Sequence, residues 1–237
     1  MKLTYIGHSG FAIEGEHSSL LFDYFRDSGN EFVRRSLPSF PGKLYVLCSH
    51  WHPDHFNKVI LSWKKIRPDI QYLFSHDILK KKLASKEDAV FLYKGDVWRD
   101  EHITVKAFGS TDVGISFLIE TEGKKIFHAG DLNNWHWDEE STIDEVQSAE
   151  RHFLSEIKAL HQETNSLDLA MFPVDSRLGK NYMRGPQQFV DLIHTDVFSP
   201  MHFGARYQEA NAFQPYAEKA GCRFVLWTQR GTTISLG

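Results

Sequence analysis

Metal-binding side chains are concentrated in one short segment, Ser49-His50-Trp51-His52-Pro53-Asp54-His55. Three histidines and one aspartate fall within six consecutive residues, directly after an apolar run that we predict as a strand. Imidazoles and carboxylates are common ligands of divalent transition metals, which they bind at about 2.0–2.2 Å. A loop that leaves a rigid strand can direct several such side chains to one point. The segment therefore predicts a metal site.

The spacing within this segment suits two ions rather than one. His50 and His52 are two residues apart and are expected on one side of the loop. Pro53 bends the chain, which lets Asp54 and His55 address a second position. Paired ions in two-metal sites lie roughly 3.5–4 Å apart. The arrangement fits two metals that share a water molecule.

The order of these ligands resembles a known signature. His50, His52, Asp54 and His55 are similar to the His-x-His-x-Asp-His pattern of the metallo-β-lactamase superfamily. The resemblance implies the fold class of that family, α/β (α+β), as a four-layer αββα sandwich with the site at one edge between two sheets. It also implies that residues 1–237 form a single domain. Periodicity alone does not predict this fold.

Later landmarks of the family follow in the expected order. Residues 127–131 (Phe-His-Ala-Gly-Asp) are similar to the strand end whose carboxylate bridges the two metals, which implies that role for Asp131. Residues 199–203 (Ser-Pro-Met-His-Phe) resemble the strand end whose histidine completes the second metal, which implies that role for His202. Residues 5–11 resemble the opening strand pair of a branch that includes ascorbate-phosphate lactonases.

The sequence departs from the family between these landmarks. The family supplies a third histidine to the first metal after a strand such as 103–108, whereas this chain has Gly109-Ser110-Thr111-Asp112. Three alternatives stay open: an oxygen ligand completes a two-metal site, only the second position binds a metal, or the site prefers a metal harder than zinc. Exchange of imidazole for oxygen favours Mn²⁺, Mg²⁺ or Fe²⁺ relative to Zn²⁺. Asp112 is therefore a candidate ligand, and its alternative role is to cap a turn.

Two further segments at predicted strand ends could line a substrate pocket beside the predicted metal site. Residues 133–137 (Asn-Asn-Trp-His-Trp) follow Asp131, so the two tryptophans could form a substrate wall and His136 could act as a general acid. A packed loop is the alternative. Asp175 and Arg177 are interpreted as an ion pair that orients a ligand or as an anion-binding site.

Composition favours a small-molecule enzyme. The 237 residues are 41% hydrophobic and carry a formal net charge of −4, with lysine and arginine scattered. A nucleic-acid-binding protein needs a broad basic face, so we expect no nucleic-acid partner. Cys48 and Cys222 lie in apolar runs and are interpreted as buried thiols. No signal-peptide core is present and no run approaches about 20 apolar residues, so we expect a cytoplasmic protein without membrane contact.

The predicted elements are β-rich up to residue 48 and alternate between strand and helix afterwards. Helices are predicted over 56–66 and 209–220, and a hairpin over 114–129. The clearest helix is predicted over 139–162, with an apolar stripe from Ile143 to Leu160 that faces the core.

These observations predict a hydrolase in which a metal-bound hydroxide attacks a small ester, lactone or phosphodiester. The cofactor is one or two divalent ions per chain, Zn²⁺ or Mn²⁺, with Fe²⁺ as an alternative, and the partner is a small-molecule substrate. Asp54 would hold the nucleophile, and His136 or His8 would donate a proton to the leaving group. The alternatives are an iron-dependent oxidoreductase, although the diiron branch usually has Glu in place of His52, and a non-catalytic binding module. The predicted ligands are His50, His52, Asp54, His55, Asp131, His202 and Asp112.

Overall fold

Two β-sheets, each of seven strands, form the centre of the protein. The computed structural model describes residues 1–236. The first sheet contains β1 (Lys2–Gly7), β2 (Gly10–Glu14), β3 (Ser18–Phe22), β4 (Lys43–Cys48), β5 (Gln71–Ser75), β6 (Val90–Leu92) and β14 (Thr233–Ser235). The second contains β7 (Val97–Arg99), β8 (Ile103–Phe108), β9 (Ser116–Thr121), β10 (Lys124–His128), β11 (Ser166–Pro173), β12 (His194–Met201) and β13 (Arg223–Phe224). The strand orders are β14-β1-β2-β3-β4-β5-β6 and β13-β12-β11-β10-β9-β8-β7.

Helices cover the outer face of each sheet. The α-helices are α1 (Phe32–Ser36), α2 (His76–Lys80), α3 (Ile143–Glu163), α4 (Arg184–Leu192), α5 (Tyr207–Asn211) and α6 (Gln214–Lys219). Shorter 3₁₀ helices span Leu37–Ser39, Lys58–Lys65 and Ser176–Asn181. Helix α2 contacts β5 and β6 of the first sheet, whereas α3 to α6 contact strands of the second. The layers agree with the predicted αββα sandwich. Among residues 1–236, no helix combines the length and the apolar character needed to cross a membrane.

The inner strands of the first sheet, β1 to β5, are buried on both faces. Leu3 and Tyr5 of β1 point into the core between the sheets, and Leu47 of β4 does the same. Val46 and Cys48 alternate with Leu47 and pack instead under the outer helices. Because successive side chains of a strand point to opposite faces, a strand covered on both sides has an uninterrupted apolar sequence. This explains why the strand runs carry little polar alternation.

Three of the predicted helices differ in detail from the observed ones. Within the predicted segment 56–66, only Lys58–Lys65 is helical. It is a 3₁₀ helix whose buried Ile60 and Trp63 are three residues apart and therefore share one face. The apolar stripe of α3 is buried only from Phe153 onward, and Ile143 is 76% exposed.

The helix predicted over 209–220 is divided into α5 and α6. Pro215 lies at the start of α6, and proline is favoured in the first turn of a helix because it has no N–H to donate.

The pairing pattern brings the predicted site residues to one edge. β3, β4 and β5 are mutually parallel, as are β10, β11 and β12. β1 and β3 both run antiparallel to β2, and β8 and β10 both run antiparallel to β9. The carboxyl ends of β1, β4, β8, β10 and β12 therefore all point the same way within their sheets. Each predicted ligand lies in the loop after one of these strands.

Gly114 sets the distance between two of these loops. It has a φ of +81°, and a Cβ at this position would clash with the carbonyl oxygen of Ser49 and the Cβ of His50. Ile115, the next residue, donates its backbone N–H to that carbonyl at 3.0 Å. Only glycine allows the segment after Asp112 to pack directly on the histidine-rich loop.

We therefore expect Gly114→Ala to destabilise the protein by about 2 kcal/mol or more, because both the positive φ and the clash oppose it. For a chain of this size the melting temperature should fall by about 4–8 °C, measured by differential scanning fluorimetry. Gly29→Ala is the control, since Gly29 is exposed and a Cβ there meets no atom within 4 Å. Equal melting temperatures for the two variants would contradict this role of Gly114.

Candidate metal centre

Two groups of potential metal ligands lie side by side at this edge. His50, His52, Asp112 and Asp131 form the first group, and His8, Asp54, His55 and His202 form the second. Within each group the ligand atoms all lie within 4.8 Å of one another. The structure thus brings all seven sequence-predicted ligands together and adds His8. The loops after five strands contribute to this cluster.

Asp131 contacts both groups through different oxygens. Its Oδ2 lies 3.4 Å from Nε2 of His50 in the first group. Its Oδ1 lies 3.2 Å from Nε2 of His55 and 3.3 Å from Nε2 of His202 in the second group. A carboxylate in this position can supply one oxygen to each of two ions.

Asp112 lies beside His52 in the first group. Its Oδ2 is 3.6 Å from Nδ1 of His52, and that nitrogen is 3.0 Å from Nε2 of His50. Burial raises the pKa of the Asp112 carboxyl, and the neighbouring charge of Asp131 raises it further. A cation between these carboxylates would relieve their repulsion.

Buried atoms without partners show that the cluster fits metal ions. Nε2 of His8, Nε2 of His55 and Oδ1 of Asp131 are buried and form no hydrogen bond within residues 1–236. Each such group costs about 1–3 kcal/mol if nothing binds it. All three face the interior of the cluster, so coordination of a divalent ion would satisfy them together.

Electrostatics also favour a cation here. Burial lowers the pKa of His50 to about 3 and that of His8 to about 4, so both imidazoles are in the neutral form that binds metals. Burial opposes protonation of His202, but the carboxylates of Asp131 and Asp175 raise its pKa to about 10. Burial alone would raise the pKa of Asp131, yet the charges of His202 and His55 hold it well below its usual value. Without a metal, protons on the histidines thus balance the buried carboxylate, and a metal ion would replace them.

Asp23 supports both groups from beneath, and the sequence did not identify it. Its carboxylate accepts hydrogen bonds from the backbone N–H of Ser49 at 2.7 Å and the Ser49 hydroxyl at 2.6 Å. It also contacts Nδ1 of His55 at 2.8 Å, and the Ser49 hydroxyl lies 2.9 Å from Nδ1 of His50. One buried carboxylate therefore orients a histidine of each group. The only sequence signal was an aspartate at the end of an apolar run.

Asp175 supports His202 in the same manner. Its Oδ2 is 2.9 Å from Nδ1 of His202, and its two oxygens receive the Nε and Nη2 groups of Arg177 at 2.5–3.0 Å. Asp175 is buried, whereas the Arg177 side chain is 52% exposed. Within this pair, which the sequence predicted, Asp175 orients the potential ligand His202, and Arg177 places its guanidinium at the surface of the site.

An open cavity of about 320 Å³ lies above the cluster. The rings of Trp135 and Trp137 are near-parallel, with an interplanar angle of 16° and centroids 6.4 Å apart. The indole N–H of Trp135 donates to the carbonyl of Asp131 at 2.8 Å, which fixes this wall to the centre. The lining residues are His52, Asp54, Thr111, Asp112, Asp131, Trp135, Trp137, Arg177 and His202.

His136 does not line this cavity, in contrast to the sequence-based proposal that it acts as a general acid. It is buried, its Nε2 lies 3.1 Å from the carbonyl of Asn181, and its Nδ1 accepts the backbone N–H of Asp138 at 3.1 Å. Trp135 and Trp137 face the cavity, and the residue between them points the other way. Both ring nitrogens of His136 are therefore engaged in holding the loop.

The two groups predict distinct losses of metal. Asp131→Ala should abolish tight binding of both ions, because it removes an oxygen from each group. Asp112→Ala should remove about one equivalent, and His17→Ala, at an exposed histidine that belongs to neither group, should remove none. The measurement is the metal content per chain by plasma mass spectrometry after reconstitution with Zn²⁺ or Mn²⁺. Two equivalents retained by Asp131→Ala would refute the shared role of this carboxylate.

Comparison with known proteins agrees with the resemblance noted in the sequence. The family described as the beta-lactamase superfamily domain matches residues 2–147, which is more than half of the chain. A UPF0173 metal-dependent hydrolase of Desulforamulus reducens is 26% identical over 248 residues, covering 93% of each chain.

Solved structures share the fold. Igni18, a novel metallo hydrolase from the archaeon Ignicoccus hospitalis, superposes with a TM-score of 0.70 at 18% identity and covers 98% of this chain and 97% of its own. CmlA, a diiron β-hydroxylase from Streptomyces venezuelae, gives a TM-score of 0.68 at 14% identity, covering 98% of this chain and 53% of its own. The family match, the two-sheet sandwich and the ligand cluster at its edge lead to one conclusion: the chain belongs to the metallo-β-lactamase superfamily.

Proposed function

We propose that this protein is a divalent-metal-dependent hydrolase that acts on a small ester, lactone or phosphodiester. The observation that carries the proposal is the position of Asp131, whose two oxygens face two separate ligand groups at the floor of an open cavity. A pair of ions held in this way would lower the pKa of a water molecule toward about 7 and polarise the oxygen of the scissile group. Relatives named as metal-dependent hydrolases support this reaction class.

The chain's own residues would position the reacting groups. The Asp54 side chain is 50% exposed and lines the cavity, so its carboxylate can orient the attacking water. The contact with His8 holds the pKa of Asp54 below its usual range, which keeps the carboxylate anionic. An anionic Asp54 would thus accept a hydrogen bond from the attacking water and orient it toward the substrate.

The volume and lining of the cavity support a small-molecule substrate. Trp135 and Trp137 form an apolar wall, and Arg177 adds a cationic group at the same cavity. These features suit a compact substrate with one flat or apolar portion and one anionic group. A phosphorylated lactone or a small phosphodiester has both features, and the lactonase-like residues 5–11 favour the former.

An iron-dependent oxidoreductase is the second candidate. The oxygen-rich first group, with Asp112 in place of a histidine, suits a metal harder than zinc. The similarity to CmlA concerns the fold, and His52 occupies the position where the diiron branch usually has Glu. Iron-loaded protein that consumes oxygen but hydrolyses no substrate would select this candidate.

Loss of a metal ligand should abolish hydrolysis. His50→Ala and Asp131→Ala are expected to lower kcat/KM by more than the roughly 10-fold to 100-fold typical of residues that only support a ligand. The assay uses p-nitrophenyl acetate, a homoserine lactone and bis(p-nitrophenyl) phosphate with Zn²⁺-loaded and Mn²⁺-loaded protein.

His17→Ala is the matched control, because its imidazole is 64% exposed and outside both groups. Chelator-treated wild type should lose activity and regain it on addition of metal. Unchanged turnover in both ligand variants, or activity that survives complete metal removal, would contradict the proposed function.

A further inference from the structure

His8 lies among the potential ligands of the second group, although no sequence pattern assigned it a ligand role. Its ring is buried, and its Nε2 lies 3.2 Å from Oδ2 of Asp54 without the geometry of a hydrogen bond. Its centroid is 4.1 Å from that of His202 and 5.2 Å from that of His55. A buried imidazole nitrogen therefore points at the same position as the other three members of the second group.

The backbone holds His8 in this position at a conformational cost. His8 has a φ of +56°, which is uncommon for a residue with a side chain. His202 also has a positive φ, +62°, and its backbone N–H donates to the carbonyl of His8 at 3.1 Å. Non-glycine residues in this region cost of order 1–3 kcal/mol each and persist where the surrounding structure enforces them. Two strained residues joined by one hydrogen bond keep both imidazoles facing each other.

Proton donation is a less suitable role for His8. A general acid must reach the substrate, whereas His8 is 9% exposed and does not line the cavity. Asp54 contacts His8 and lines the cavity, so a leaving group would meet Asp54 rather than His8. The position suits a ligand on the inner side of an ion rather than a group that contacts substrate.

The two groups then differ in their donors. The second offers three imidazoles, from His8, His55 and His202, with Asp54 and one oxygen of Asp131. The first offers two imidazoles, from His50 and His52, with two carboxylates. Imidazole-rich sites bind borderline metals such as Zn²⁺ and Co²⁺ more tightly, whereas oxygen-rich sites favour Mn²⁺ and Mg²⁺ in relative terms.

We propose that His8 is a ligand of the second ion and that this makes the second group the tighter site, so that a borderline metal loads there first. The inference rests on the metal centre of the proposed function and not on the hydrolytic reaction itself. It assigns different preferences to the two positions: a borderline metal in the second group and a harder metal in the first.

The test is a titration of metal-free protein with Co²⁺, followed by visible absorption and by calorimetry. Wild type should bind two equivalents in two phases. His8→Gln should weaken the first phase by more than the roughly 10-fold to 100-fold expected for a residue that only supports a ligand. Asp112→Ala should keep the first phase and lose the second, and His17→Gln should match wild type.

Co²⁺ titration of His8→Gln that reproduces both wild-type phases would overturn the assignment, as would loss of the first phase in Asp112→Ala. A wild-type measurement covers the case in which His8→Gln fails to fold. In protein loaded with one equivalent of Co²⁺, paramagnetically shifted proton resonances should reveal three coordinated imidazoles. Two coordinated imidazoles would contradict the proposal, and because neither readout measures turnover, failure of the hydrolase assignment would be seen separately.

Discussion

The structure depends on a carboxylate, Asp131, buried among imidazoles that are themselves held by other side chains. His55 lies between Asp131 and Asp23, with its two ring nitrogens 3.2 Å and 2.8 Å from the carboxylates. His202 lies between Asp131 and Asp175 in the same way, at 3.3 Å and 2.9 Å. Each imidazole thus has one nitrogen fixed from outside and one directed at the centre, as in metal sites whose histidines are oriented by a carboxylate. The supporting contacts determine which nitrogen is available to an ion.

This constraint explains features of the fold that are far apart in sequence. Strands of both sheets must end at the same edge so that their loops can converge, and Gly114 permits one of these loops to pack on the next. His8 and His202 adopt positive φ values because their side chains must face each other across two loops. Four of the seven non-glycine residues with positive φ among residues 1–236 lie at this edge, namely His8, Asp23, Trp137 and His202, whereas the core between the sheets is built from apolar side chains.

Much of the fold and the centre could be predicted from the sequence because the signals are local. His50, His52, Asp54 and His55 are adjacent, and Asp131 and His202 each end an apolar run. The contribution of Asp23 could not be predicted, since its partners at Ser49 and His55 become neighbours only through the parallel pairing of β3 and β4.

His8 and His136 illustrate the same limit. The resemblance of residues 5–11 made His8 a candidate proton donor but not a ligand, and its place in the second group becomes visible only in the structure, where its loop is hydrogen-bonded to that of His202. His136 was predicted to lie in the pocket because it follows Asp131 closely in sequence. Successive side chains of this loop point in opposite directions, however, so Trp135 and Trp137 face the cavity and His136 contacts the carbonyl of Asn181. Asp112 became a candidate ligand because the segment that contains it lacks an expected histidine, and the structure places its carboxylate beside His52.

The most direct test of the central claim is a crystal structure of metal-reconstituted protein with anomalous scattering collected at the metal edge. The account predicts two anomalous peaks, roughly 3.5–4 Å apart, with one oxygen of Asp131 coordinating each. A single peak, or two peaks of which only one contacts Asp131, would contradict the view that this carboxylate organises a two-metal centre.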